Sequence, residues 1–109
     1  MKISELSELG FFCLQDQFED VDLTGGYTSD LLSDVMANLK EGQVLITIQA
    51  HKNTIAVASL SGAAAVIFCH GRVVQPDMLE AAANEGIALF TTSDNQFEAT
   101  VALAEFLRQ

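Results

Sequence analysis

Val44-Leu45-Ile46-Thr47-Ile48, Ala65-Val66-Ile67-Phe68-Cys69 and Ile87-Ala88-Leu89-Phe90-Thr91 decide the fold. Each is a short run rich in β-branched and aromatic residues, apolar throughout rather than alternating, as strands covered on both faces are. They recur about every 20 residues. The spacing predicts strands over 44–48, 64–69 and 87–91, with helices over 53–61, 76–85 and 95–107. Strands alternating with helices are the mark of βαβ units and a parallel sheet. The predicted fold is therefore α/β, a single three-layer domain with a mostly parallel sheet of four to five strands.

Local signals agree with these helices. Asn53 suits an N-cap, Pro76 the first turn of its helix, and Ser93-Asp94-Asn95-Gln96 has the Ser-x-x-Gln form of a capping box. Gly62 and Gly86 stand just past two helix ends. Upstream the pattern is looser. Ile3, Leu6 and Leu9 share a helical face, and Gly10 stops it. Phe11 to Leu14 reads as a strand, and Asp20 to Thr24 as a second short one, with Val21 and Leu23 alternating against Asp20 and Asp22. Gly25-Gly26 then reads as a turn. Thr28 to Leu39 reads as a helix with Leu31, Leu32, Val35, Met36 and Leu39 on its apolar face, Asp30 favouring its start and Gly42 following as a cap signal.

The chain has 109 residues, half of them apolar, which suits one domain with a core of its own. Its formal net charge is −10, from 15 acids and 5 bases. That balance excludes a nucleic-acid polymer as partner and gives no purchase on an anionic membrane. Cys13 and Cys69 lie in apolar runs, as buried free thiols do. Met1-Lys2-Ile3-Ser4-Glu5 is polar rather than signal-like, and no apolar run reaches the roughly 18 residues of a spanning helix. A cytoplasmic, reduced protein is expected. Thr54-Ile55-Ala56-Val57-Ala58-Ser59-Leu60 is apolar nearly all round and so predicts cover on both sides. The second cover is either another subunit or the chain's own N-terminal segment.

The connections after the three strands are polar: Gln49-Ala50-His51-Lys52-Asn53, His70-Gly71-Arg72 and Thr92-Ser93-Asp94. In a parallel sheet all three emerge at the carboxyl edge, where open α/β sheets bind ligands. His51, Lys52 and backbone N–H groups at a helix start suit an anion, and His70 and Arg72 add to them. Gly25 and Gly26 allow close backbone approach before a helix and are counted with this site. Neither Gly-x-x-x-x-Gly-Lys-Ser/Thr nor Gly-x-Gly-x-x-Gly occurs. His51, Cys69 and His70 lack a third metal ligand at a recognisable spacing, and Cys69 and His70 are adjacent, so no metal site is predicted. Ser93 and Cys69 have no marked activating partner, so no catalytic residue is assigned. The residues name no cofactor.

The segment Tyr27-x-x-Asp30-Leu31-Leu32-Ser33-Asp34-Val35-Met36-Ala37-Asn38, followed by Gly42, Ile46-Thr47-Ile48-Gln49-x-His51-x-Asn53 and Ala56-Val57-Ala58-Ser59-Leu60, resembles small stand-alone members of the DRTGG domain family. The likeness runs from about Val21 to Leu107 and is most specific over 30–60. It extends distantly to the N-terminal domain of HPr kinase/phosphorylase. More loosely, Gly62-Ala63-Ala64-Ala65-Val66 is similar to Mur ligase N-terminal domains. The resemblance implies that the family's Asp-Arg pair falls at His51-Lys52 and its Thr-Gly-Gly near Cys69-His70-Gly71, so that Leu23-Thr24-Gly25-Gly26 matches the family name by coincidence. This chain keeps Gly71 and replaces most of the rest.

The resemblance further implies a regulatory, oligomerising module rather than an enzyme. Such domains accompany CBS domains in pyrophosphatases regulated by adenine nucleotides, and occur in some phosphotransacetylases. Stand-alone members occur beside genes for iron hydrogenases and redox regulators. The expected function is a non-enzymatic ligand-sensing or interaction module, a homodimer, binding an anionic metabolite or nucleotide through His51, Lys52, Asn53, His70, Gly71 and Arg72, with Gly25 and Gly26 nearby. A redox-enzyme partner is part of this expectation. The alternatives are a phosphotransfer-related component using His51 or His70, and a structural subunit of a redox complex.

Overall fold

The computed structural model describes residues 1–108. A 3-10 helix over Ile3–Leu9 leads into β1 (Phe12–Gln15) and β2 (Gly25–Thr28). Then α1 (Leu32–Asn38), β3 (Gln43–Thr47), α2 (Lys52–Ser61), β4 (Ala65–Phe68), α3 (Pro76–Glu85), β5 (Ala88–Thr91) and α4 (Gln96–Leu107) follow. The strands form one sheet in the order β1-β5-β4-β3-β2. β2 to β5 are parallel, and β1 closes the far edge antiparallel to β5. This is the expected mostly parallel α/β sheet.

Alternation along the central strands sorts their side chains into two apolar layers. Val44, Ile46, Ile67 and Phe90 meet Ile3, Leu6, Ala99 and Leu103 on one face. Leu45, Val66, Phe68 and Leu89 meet Val35, Ile55, Met78 and Ala82 on the other. Thus α1, α2 and α3 cover one face, while α4 and the 3-10 helix cover the other. Both layers are apolar, which accounts for the unbroken apolar runs in β3, β4 and β5.

The elements upstream of β3 differ from the sequence reading. Residues 20–24 are not a strand of the sheet. Their alternation instead serves a short ladder with the N-terminus, in which Ile3 N–H donates to the Val21 carbonyl and Leu23 N–H to the Met1 carbonyl, around a Lys2–Asp22 bridge. Gly25-Gly26 is no turn: it opens β2, paired with Gln43 and Val44. A Cβ on Gly26 would lie 2.8 Å from Leu103 Cδ2, so the missing side chain lets α4 close onto the edge strand. Strand pairing and the contacts of Asp30 hold the chain extended to Leu31, so α1 begins at Leu32 rather than Thr28. Its buried face shrinks to Val35 and Leu39, with Leu31 and Met36 exposed. The Tyr27 hydroxyl donates to Asp34 Oδ2 at 2.6 Å and ties β2 to α1.

Caps move by small steps. Gly62 and Gly86 close α2 and α3 in the left-handed conformation, and Pro76 stands in the first turn of α3, all as expected. The N-cap of α2 is His51, which places Asn53 inside the first turn. The capping box of α4 is Asn95 with Glu98, two residues beyond Ser93 and Gln96. α1 ends at Asn38 with Leu39 as its extended C-cap, and Gly42 stands in the turn beyond it.

The apolar helix α2 packs between α1 and α3, with Thr54, Ile55 and Ala58 turned inward. The N-terminal segment lies on the opposite face of the sheet. Cover by the chain's own N-terminus is thereby excluded, and Ala56 and Leu60 face outward, Leu60 at 79% exposure. Among the described residues no helix is long and apolar enough to cross a membrane.

Candidate functional site

The parallel strands deliver four loops, not three, to the carboxyl edge. The fourth follows β2 and brings Asp30. One oxygen of Asp30 accepts from Thr47 Oγ1 at 2.7 Å, from the Ile48 N–H at 2.9 Å and from Gln96 Nε2 at 2.9 Å. A single carboxylate therefore joins the ends of β2 and β3 to the start of α4. Burial by itself would raise the Asp30 carboxyl. Hydrogen bonds from Ile48, Thr47 and Gln96, with the Arg72 charge, outweigh it and hold the group below its ordinary range.

The loop after β4 turns tightly. His70 has φ 63° and Gly71 φ 60°, a pair of left-handed residues. The turn is held because His70 N–H donates to the Asp94 carbonyl at 2.8 Å and Gly71 N–H to the Thr92 carbonyl at 2.9 Å. Those two amides are consumed in tying the β4 and β5 loops together. Gly71 therefore supplies the turn and no ligand-binding amide. Histidine tolerates this backbone region better than most residues. The connection from β4 leaves toward α3 on one face of the sheet and that from β5 toward α4 on the other. Adjacent strands with diverging connections open a crevice at their carboxyl ends.

Two clefts flank the 70–75 loop. One, of about 470 Å³, lies toward β3 and is lined by Ile48, Gln49, Ala50, His51, Arg72 and Val73. The other, of about 430 Å³, lies toward β1; Phe12, Leu14, Arg72, Val74 and Ser93 are among its walls. Arg72 lines both, and neither lining contains a carboxylate. The contrast with other clefts is chemical. The cleft at the amino edge carries Glu19, Glu41 and Glu85, and two further ones carry Glu5 or Asp16 and Glu80. In a chain of net charge −10, these two clefts combine Arg72 with walls that hold no carboxylate.

No family model matches the sequence, and no curated protein matches it. Among solved structures, the CBS and DRTGG domains of the regulatory region of Clostridium perfringens pyrophosphatase, complexed with the activator diadenosine tetraphosphate, superpose with a TM-score of 0.71 at 15% identity. The fold is DRTGG-like. The superposition covers 90% of this chain and 43% of that one, so this chain spans less than half the length of the regulatory region it resembles.

Within the DRTGG-like fold the sequence-predicted residues divide. His51, Gly71 and Arg72 line the two clefts. Lys52, Asn53 and His70 stand exposed on the same loops, and α2 starts without a side-chain cap. Gly25 and Gly26 do not join them. They pair with Gln43 and Val44 at the start of β3, at the opposite edge of the sheet, and Gly25 lines a separate cleft beside Glu5. Asp30, Phe12 and Gln96 were missed. The Gly-Gly pair hid β2, so the loop carrying Asp30 did not read as a strand end. Phe12 reads only as part of an apolar strand, and its 67% exposure is visible only in the structure.

Cys69 sits at the carboxyl end of β4, fully buried. Burial first, then Asp30 and Asp94, pushes its thiol up to about 11, which leaves it a packing residue. Among the described residues no cluster of His, Cys, Asp or Glu has the arrangement of a metal site.

Proposed function

We propose that this protein is a non-enzymatic regulatory module that senses an anionic metabolite or nucleotide at the carboxyl edge of its sheet. One observation carries the reading: Arg72 lines two adjoining clefts free of carboxylates, with His51 in one of them, in a strongly acidic chain. Lys52 stands beside His51 at the start of α2, where unpaired N–H groups favour negative charge. The DRTGG-like fold supports a regulatory role, since the Clostridium perfringens region of that fold is regulatory and was captured with an anionic activator. The activator belongs to that two-domain region as a whole.

Isothermal titration with nucleoside phosphates and phosphorylated metabolites tests the proposal. A saturable heat that weakens at least tenfold in Arg72→Ala and severalfold in Lys52→Ala supports it. No heat with any of these ligands, or binding unchanged in both variants, overturns it.

The module is proposed to act as a homodimer through the exposed side of α2, where Ala56 and Leu60 offer apolar surface beyond the exposed Lys52 at the helix start. Light scattering at micromolar concentration checks this, and a mass of 11.7 kDa would refute it. A redox-enzyme partner in a reduced, cytoplasmic setting rests on the family resemblance and on the two free thiols. Co-purification of a hydrogenase-type protein with the tagged chain from native cells would support it, and its absence would remove it.

A further inference from the structure

The two clefts at the carboxyl edge differ in chemistry, and the difference specifies the ligand further. This step rests on the anion site proposed above. The cleft toward β3 is polar, with Gln49, His51 and Arg72 in its walls. The cleft toward β1 is apolar on one side. Phe12, Leu14 and Val74 all line it, and Leu14 and Val74 pack against the core layer on the α3 side of the sheet. Phe12 is 67% exposed, at the start of the edge strand β1, whose next two residues are partly buried. Across from it run the Thr91–Ser93 hydroxyls. Between the clefts stands the 70–75 loop, pinned by the His70 and Gly71 hydrogen bonds, with Arg72 facing both sides.

We infer that the Phe12 cleft is a nucleobase subsite, and that the ligand is a nucleoside phosphate lying across Arg72. Its phosphates occupy the His51–Arg72 cleft and its base lies against Phe12, Leu14 and Val74. Three features argue for this occupant. The two clefts share Arg72, so a ligand anchored by charge in one is already at the mouth of the other. An exposed aromatic ring beside an arginine is the usual platform for a planar base, since both stack on its face. The absence of a carboxylate from both linings suits a ligand that is anionic at one end and flat and weakly polar at the other. The site also lies where the β4 and β5 connections diverge to opposite faces, the crevice in which α/β sheets take nucleotides. An apolar side chain or lipid tail would use the Phe12 wall but not Arg72. A bare polyphosphate would use Arg72 but not the Phe12 wall.

The experiment uses the full chain with the four nucleoside diphosphates, ribose 5-phosphate and pyrophosphate as probes. At least one nucleoside diphosphate is expected to bind about tenfold or more tightly than ribose 5-phosphate and pyrophosphate. Phe12→Ala is expected to erase that margin while leaving pyrophosphate affinity unchanged. The chain has no tryptophan, so Phe12→Trp places a single reporter in the cleft. The indole fluorescence of that variant should be quenched by the preferred nucleotide and not by ribose 5-phosphate, and this readout stands even if the alanine variant folds poorly. Equal affinity for nucleotide and pyrophosphate, or an indole signal indifferent to the base, overturns the subsite while the anion site stands. No binding by any probe overturns both.

Discussion

The side-chain amide of Gln96 donates to Asp30 Oδ1 at 2.9 Å, joining two residues 66 positions apart. The same oxygen takes the Thr47 hydroxyl and the Ile48 N–H, so one carboxylate holds three of the chain segments that frame the carboxyl edge. Asp30→Ala strands these donors in a part-buried site. A loss of about 2 kcal/mol in urea unfolding is expected, as for hydrogen bonds to a charged acceptor. Asp30→Asn retains an accepting oxygen and should cost about half as much. An unchanged midpoint for Asp30→Ala would show that the junction carries no stability.

The same carboxylate makes a pH prediction. Its folded value lies below the ordinary 3.8, because its donors and the Arg72 charge outweigh burial. A depressed carboxylate contributes stability that is fully present above the unfolded value and is lost as pH falls through the folded one. Wild-type stability should therefore drop more steeply than that of Asp30→Asn as pH falls below about 4. Asp20 and Asp34 are also held low, by hydrogen bonds chiefly from Ser4 and from Tyr27, but both proteins retain them. The difference between the two curves isolates Asp30. Parallel curves would contradict the assignment.

The two thiols should react differently. Cys69 is fully buried and its thiol is pushed up to about 11, so at pH 8 only about one molecule in a thousand carries a thiolate there. Cys13 is partly exposed, its thiol raised mainly by burial. A disulfide reagent at pH 8 is expected to titrate about one thiol rapidly in the native protein and the second only on unfolding. Rapid reaction of both would show that the β4 end is open to solvent.

Gly26 makes a steric prediction. A methyl group there meets Leu103 Cδ2 at 2.8 Å, against the edge strand that α4 covers. Gly26→Ala should destabilise by about 1–2 kcal/mol through overpacking. Combined with Leu103→Ala, which opens space at the same point, it should cost less than the sum of the single changes. Strict additivity in thermal or urea unfolding would mean that the clash relaxes elsewhere.

The legible part of the fold was the part where one local pattern serves one purpose. Short apolar runs rich in β-branched residues, such as Val44–Ile48, suit strands covered on both faces, and the helices after them carry their own stops in Gly62 and Gly86. Upstream, local pattern and tertiary role part company. Val21 and Leu23 alternate because they pair with residues 1–3, not because they join the sheet. Gly25-Gly26 looks like a turn, yet it is strand, because β3 supplies the hydrogen bonds and α4 needs the space of an absent side chain.

By itself the sequence determined the α/β class, the βαβ rhythm from Val44 to Leu107 and the loops in which His51 and Arg72 stand. These follow from periodicity and cap chemistry, which act over a few residues. Only the tertiary structure decided that Gly25 and Gly26 lie at the edge opposite the site, that Asp30 knots the carboxyl edge, and that Arg72 faces both Phe12 and His51 from one loop. Those facts depend on strand order and on which face each connection takes. Both are set by long-range pairing and burial, and no local pattern records them.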